Sequence, residues 1–240
     1  MKLKLTLAYD GSRFQGSATQ PHLNSVQDTL ANALTHLGVF EKPLFASRTD
    51  KGVHSLGAVA SVHCGEHFTD LNFFKNQLNR FAHPHIHILR VERASENFEV
   101  RFNATMREYR YILNHGAFSP FLAPYFLFYP TIDIEKTNEI LTNFIGTHDF
   151  KGFQKQNEPN KDTARTIFRA KALRHKNLSV FVFRANGFLR AQIRLSVCAV
   201  LQVLEGKMSV SELIEQIEAQ KEHCRTPAAP NGLYLSKIFY

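Results

Sequence analysis

Polar and apolar residues alternate from Lys2 to Tyr9. Leu3, Leu5, Leu7 and Tyr9 fall on one side, and Lys2, Lys4 and Thr6 on the other, which is the period-two pattern of a half-buried strand. Asp10-Gly11-Ser12 breaks it. Val26, Leu30, Leu34 and Leu37 then step by four, four and three behind Ser25, an N-cap residue with Asp28 in the capping-box position. Residues 26–37 therefore read as an amphipathic helix stopped at Gly38. Short strands are expected at 43–47 and 58–63, separated by the polar loop Arg48-Thr49-Asp50-Lys51-Gly52. Leu71, Phe74, Leu78 and Phe81 mark a helix capped by Thr69 or Asp70, and residues 86–92 read as a strand.

The element order β-α-β-β-α-β then recurs. Residues 99–113 form a long strand or two. Asp133 caps a helix carrying Ile140, Leu141, Phe144 and Ile145, stopped at Gly146. Strands follow at 166–174 and 178–185, and a helix from Leu189 to Leu204 turns Ile193, Val197, Val200 and Leu201 inward. A further helix starts after Ser209 or Ser211, and 234–239 is a closing strand. Two split β-α-β units predict an α+β fold of two ferredoxin-like halves, residues 1–104 and 105–240. Each half is expected to be an antiparallel sheet with two helices on one face, with a central cleft between the sheets. No repeat is visible at the level of residues, only in the order of elements.

Composition narrows the classes. With 240 residues, 44% hydrophobic and 21% charged, the chain is globular rather than disordered. No apolar run approaches the roughly 18 residues of a membrane span, and the opening MKLKLTLAYDG reads as a strand, not a signal peptide. Cys64, Cys198 and Cys224 are odd in number and far apart, which excludes a disulfide scaffold and points to a reducing cytoplasm. The net charge of +8 fits either a basic protein with no polyanion partner or a nucleic-acid binder.

The loop at 46–57 is where chemistry concentrates. It places Arg48 two residues before Asp50, then Gly52 and His54. A carboxylate beside a guanidinium stays ionised at neutral pH, which suits nucleophilic work or stabilisation of a sugar cation. The same spacing also fits an Asp that caps its own turn with Arg48 as a surface partner. On period two, Arg101, Arg107, Tyr109 and Tyr111 share one strand face, an arrangement suited to RNA; Tyr109 reads equally as a packed strand tyrosine. Arg194 stands among apolar helix neighbours and also fits a solvated face. The stretch 155–162 is polar and aperiodic, either a surface loop or an RNA clamp flanked by Lys155, Lys161 and Arg165. His83, His85 and His87, with His63, Cys64 and His67, lack the paired spacing of a zinc site, so no metal is expected.

The run Ser47-Arg48-Thr49-Asp50-Lys51-Gly52-Val53-His54 resembles the R-T-D-x-G-V-H signature of the TruA family of tRNA pseudouridine synthases. Further pieces resemble that family in the same order along nearly the whole chain. They are Tyr9-Asp10-Gly11-Ser12, Ser25-Val26-Gln27, Phe98 to Phe102, Tyr109-Arg110-Tyr111, His148-Asp149-Phe150 with Phe153, Thr163 to Ile167, Asn186 to Leu189 with Arg194, and Gly232 to Leu235. The chain departs from the family at Gly16-Ser17-Ala18-Thr19-Gln20, where a Trp commonly follows the glycine, and at Arg190-Ala191, in a stretch that is often His-rich.

The resemblance implies an isomerase that converts uridine to pseudouridine in the anticodon arm of tRNA, at positions 38 to 40. It implies Asp50 as the essential carboxylate, Arg194 as its second partner and Tyr109 as a ring stacked on uracil with a hydroxyl able to move a proton. It implies Arg48 holding open the vacated stack, Leu233 lining the base pocket, and Arg101, Phe98, Phe102 and Lys161 meeting the RNA. No cofactor is required, and the partners implied are tRNA and a second copy of the chain in a homodimer, in the cytoplasm and off the membrane. The rival readings are a non-catalytic double RNA-binding module and a metal-dependent hydrolase built on the histidines.

Overall fold

The computed structural model describes residues 1–21, 23–155 and 162–240. Along the chain run β1 (Lys2–Tyr9), α1 (Val26–Thr35), β2 (Leu44–Phe45), β3 (His54–His63), α2 (Leu71–Ala82) and β4 (Ile86–Ala94). There follow β5 (Met106–Asn114), β6 (Leu127–Phe128), α3 (Ile134–Thr142), β7 (Gly146–Asp149), β8 (Ala164–His175) and β9 (Leu178–Ala185). The chain ends with α4 (Gln192–Leu204), α5 (Val210–Ile217) and β10 (Leu233–Phe239). The fold is α+β and divides into two compact units, Met1–Thr105 with Tyr234–Tyr240, and Met106–Leu233.

In the first unit β1 lies between β4 and β3 and is antiparallel to both. The alternation in β1 does what it predicts: Leu3, Leu5, Leu7 and Tyr9 are buried. They meet Val26, Leu30 and Leu34 of α1 and Phe74 and Leu78 of α2 in the core. The far edge of β3 is shared. Antiparallel β2 pairs at Ala60 and Ser61, and parallel β10 pairs at His54 and Ser55. The expectation of purely antiparallel sheets is thus corrected, because β10 returns after the whole second unit and needs no hairpin to reach β3. Gly57 permits that approach, since a Cβ there would stand 2.6 Å from the Ser236 carbonyl oxygen.

In the second unit β5, β9, β8 and β7 follow one another antiparallel, and β6 adds in parallel to β5. Phe144, Phe150, Phe153, Phe181 and Phe183 are buried together with α4, whose residues are apolar almost all round. Several boundaries differ from those the pattern predicts; β3, for one, starts at His54 and not at 58. Residues 99–105 are turns, not strand, with the Phe102 and Asn103 N–H groups both bonded to the Glu99 carbonyl. The α3 helix ends at Thr142, and Gly146, with φ of +120°, opens β7 instead of stopping the helix. The α4 helix starts at Gln192 because Ala191 turns left-handed, with φ of 63°.

Each unit uses one buried or half-buried asparagine to tie a helix to a strand. Asn79 of α2 donates Nδ2 to the Ile88 carbonyl at 3.1 Å and accepts the Ile88 N–H at 2.7 Å. Asn138 of α3 does the same for Ala172 of β8, at 3.1 and 2.7 Å. Both strands are unpaired at that point on the helix side, so the amide stands in for a missing strand neighbour. Asn79→Ala removes two hydrogen bonds and leaves two backbone groups of Ile88 without their partner. The expected cost is about 2 kcal/mol, read as a lower urea midpoint at unchanged m-value.

Candidate active site

Asp50 belongs to the first unit and is half-buried at the end of a loop whose backbone is held from three sides. Thr49 pairs with Ser17 through two bonds: the Thr49 N–H donates to Ser17 Oγ at 2.7 Å, and the Ser17 N–H to the Thr49 carbonyl at 3.1 Å. The Tyr9 hydroxyl at the end of β1 meets Thr49 Oγ1 at 2.8 Å in a buried contact. Gly16 has φ of +112°, and a Cβ there would lie 3.1 Å from the Thr49 carbonyl oxygen and 3.6 Å from the Asp50 carbonyl carbon. The carbonyls of Gly16 and Ser17 in turn accept the N–H groups of Val26 and Gln27, the first turn of α1. These acceptors satisfy donors that a helix start leaves open.

The other end of the loop is fixed by His54. Its Nδ1 accepts the Gly11 N–H at 3.0 Å and lies 3.4 Å from Asp10 Oδ1, and its ring stacks on Tyr234 at 4.8 Å. Gly11 has no room for a side chain, because a Cβ would overlap the Val53 carbonyl at 1.9 Å. Gly52, with φ of 79°, turns the chain between Asp50 and β3. Arg48 is exposed, and among the described residues no ion pair joins it to Asp50.

The remaining sequence-selected residues of the first unit sit on the 98–102 turn. Phe98 is half-buried against the Tyr240 ring at 5.2 Å, and Arg101 and Phe102 are exposed, Phe102 at 77%. Because this segment is not strand, Arg101 does not share a face with Tyr109, which corrects that expectation. Lys161 lies outside the described residues.

In the second unit Tyr109 and Tyr111 do share one face of β5, both buried. Tyr109 packs edge-on against Phe188 at 5.4 Å, and Arg107, two residues before it, donates to the Asn186 carbonyl at 2.7 Å. The Tyr111 hydroxyl donates to the Ala229 carbonyl at 2.7 Å, and half-buried Arg194 donates Nε to the neighbouring Ala228 carbonyl at 2.6 Å. Burial pushes the Tyr111 phenol far above its ordinary range and Arg194 opposes the shift, so the hydroxyl stays protonated and serves as a donor. Buried Leu233 follows Gly232, which fits flush against the Tyr111 ring, with 2.9 Å available to a Cβ. Segment 228–233 thus gathers Arg194, Tyr111 and Leu233. Sequence reading selected Arg194 and Leu233 but not the carbonyl pair that aligns them, which leaves no trace in residue type.

The opposite face of β5 carries the charge that fixes the strand. Buried Glu108 faces Arg184 of β9 in direct register, with Arg184 Nε at 2.5 Å and Arg110 Nη2 at 3.1 Å. The histidines are used locally. His83 Nε2 and His87 Nδ1 are 2.8 Å apart, His63 meets Glu41 at 3.0 Å, and His148 bonds to the Ile145 carbonyl at 3.2 Å while Asp149 caps the following turn. Among the described residues no three His, Cys, Asp or Glu side chains are gathered as a metal site.

Comparison with known proteins adds a second line of evidence. A family described as tRNA pseudouridine synthase matches residues 140–240. The chain is 57% identical over 240 residues to tRNA pseudouridine synthase A of Campylobacter jejuni strain RM1221, covering all of both chains. It is 38% identical to the proteins of the same name from Wolinella succinogenes, over 98% of this chain and 92% of that one, and Helicobacter pylori, over 99% and 98%. Among solved structures, a chain of a Cbf5-Nop10-Gar1 complex aligns with 98% of this chain and 47% of its own at 11% identity and a TM-score of 0.35.

Burial alone would raise the Glu108 carboxyl; Arg184 and Arg110 overcome it and hold the group below the usual carboxylate range. Its stabilising effect is therefore complete above the ordinary value of 4.5 and is lost as pH falls through the lowered one. Both arginines reach solvent, so Glu108→Gln is expected to cost only about 1–2 kcal/mol at pH 7. Thermal melts between pH 7 and pH 3 check this: the gap between parent and variant should close as the solution is acidified.

Proposed function

The chain belongs to the TruA family of tRNA pseudouridine synthases, and on that premise we propose that Asp50 is the carboxylate on which its uridine-to-pseudouridine isomerisation depends. The observation that supports this is the three-sided clamp on its loop. Ser17 holds the Thr49 backbone, the Tyr9 hydroxyl holds the Thr49 side chain, and His54, through the Gly11 N–H, fixes the far end of the loop. A carboxylate that only capped its own turn would need no such framework.

The reaction breaks the bond from ribose C1′ to uracil N1, turns the base, forms the bond from C1′ to C5 and releases the C5 proton. It is an isomerisation, with no net redox change. An ionised carboxylate at the ribose supplies the negative charge, or the nucleophile, that cleavage at C1′ calls for. A base held in a stem must first be flipped out at a cost of about a few kcal/mol. In this reading Arg48 takes up the space the base vacates, Tyr109 stacks on the uracil with its hydroxyl in reach of a proton, Leu233 lines the base pocket and Arg194 supplies a second positive charge for the reaction. Phe98, Arg101, Phe102 and Lys161 lie along the path of the RNA.

The same reading takes the substrate site to be the anticodon arm, at positions 38 to 40, and the working enzyme to be a cytoplasmic homodimer. Residues 1–104 and 105–240 would be its two ferredoxin-like halves, with β10 of the closing stretch returning to the sheet of the first. The basic surplus of +8 supplies phosphate affinity. Family membership favours an enzyme over a non-catalytic double RNA-binding module.

Asp50→Asn keeps size and most hydrogen-bonding capacity while removing the charge. It should melt like the parent, bind tRNA within about threefold and release no tritium from C5-labelled uridine in a single turnover with enzyme in excess. Substantial release would mean that the loop is structural. Tyr109→Phe should bind normally and turn over about 100-fold more slowly. Parent affinity for tRNA should fall with salt at roughly 0.9 log units per log unit for each phosphate neutralised, with a total slope of several; filter binding at a series of salt concentrations measures it.

A further inference from the structure

Three buried residues, Tyr9, Ser17 and Thr49, form a hydrogen-bonded set next to Asp50 in the loop. Tyr9, Ser17 and Thr49 are 5%, 1% and 9% exposed. Thr49 is the residue before Asp50, and each of its polar groups has a partner in this buried set. Its N–H goes to Ser17 Oγ at 2.7 Å, its carbonyl takes the Ser17 N–H at 3.1 Å and its Oγ1 meets the Tyr9 hydroxyl at 2.8 Å.

The anchors themselves are rigid. Tyr9 ends β1, paired with Ser55 of β3 on one side and Ile86 of β4 on the other. The Gly16 and Ser17 carbonyls accept the N–H groups of Val26 and Gln27 at the start of α1. Two different elements therefore converge on one residue, Thr49, next in the chain to Asp50. A strand fixes its side chain and a helix start fixes its backbone. The Ser17 pair restrains the backbone that leads into Asp50, and the Tyr9 contact adds a restraint on the Thr49 side chain beside it.

We propose that Tyr9 is a positioning residue for the isomerisation, acting through the Thr49 hydroxyl to aim the Asp50 carboxylate. The proposal rests on the reading of Asp50 given above. Tyr9 is buried, and its hydroxyl meets the side chain of the residue next to Asp50. Displacement of a reacting group by about 1 Å costs around 100-fold in rate, so the effect of losing one such hydroxyl falls on the chemical step and not on RNA affinity.

The test compares Tyr9→Phe, Thr49→Val, the double variant, Thr49→Ser and Asp50→Asn, as full-length chains. Each is assayed for single-turnover tritium release at saturating enzyme, for tRNA dissociation constant by filter binding and for melting temperature. Tyr9→Phe and Thr49→Val should each lower the single-turnover rate constant by about 10- to 100-fold with tRNA affinity within about threefold. The double variant should be no slower than the worse single one, because both remove the same contact. Thr49→Ser, which keeps the hydroxyl, should restore most of the rate. A parental rate constant in Tyr9→Phe, or a fall in melting temperature with the rate constant of the folded protein unchanged, would overturn the proposal. So would independent, multiplying losses in the double variant. If Asp50→Asn itself turns over, the reading of Asp50 fails; if Asp50→Asn is inactive while Tyr9→Phe is not impaired, only the role of Tyr9 fails.

Discussion

The pairing of Thr49 with Ser17 is the contact on which the arrangement of the first unit turns. It joins two loops 32 residues apart through buried hydrogen bonds of 2.7 and 3.1 Å. Buried backbone groups must find partners, and neither loop has a strand or helix of its own to supply them. By satisfying each other, the two loops dock the start of α1 onto the segment between β2 and β3. Gly11 and Gly16 are conditions of that docking: a side chain at Gly11 would run into the Val53 backbone, and Gly16 takes a φ of +112° that other residues rarely adopt. The Asp50 loop is therefore an extension of the helix start and the sheet, and not an independent surface turn.

The second unit meets a related problem with charge. Its strand β5 presents Tyr109 and Tyr111 on one face and Glu108 on the other. A buried carboxylate is costly unless paired, and the direct cross-strand position of Arg184 pairs it. That fixes the register of β5 against β9. A slip of one residue would turn both tyrosines to the other face and leave Glu108 opposite an apolar neighbour. Positioning of the aromatic groups and tolerance of the buried charge are thus one requirement.

Local pattern carried most of the elements. The alternation of Lys2 to Tyr9, the steps of Val26, Leu30 and Leu34, and the caps Ser25, Asp70, Asp133 and Ser209 each appear in the structure where near neighbours along the chain dictate them. Pattern failed where a distant contact decides. Residues 99–105 have the composition of a strand yet form turns held by the C-terminal segment, with the Thr105 N–H on the Phe239 carbonyl and the Tyr240 hydroxyl on the Val100 carbonyl. The β7 strand opens at a glycine that reads as a helix stop, because β8 offers it an edge to pair with.

The sequence by itself determined the α+β class, the run of helices and strands, and the chemistry available in the 46–57 loop and on the face of β5. Those properties depend on residue type and on spacings of two to four positions, which the chain carries whatever its global shape. Only the tertiary structure decided that Ser17 and Tyr9 meet at Thr49, next to Asp50, that β10 joins the first unit in parallel with β3, and that Ala228 and Ala229 align Arg194 with Tyr111. These are meetings of backbone groups from remote parts of the chain. A carbonyl or an N–H is the same in every residue, so which one it meets depends on how the elements pack.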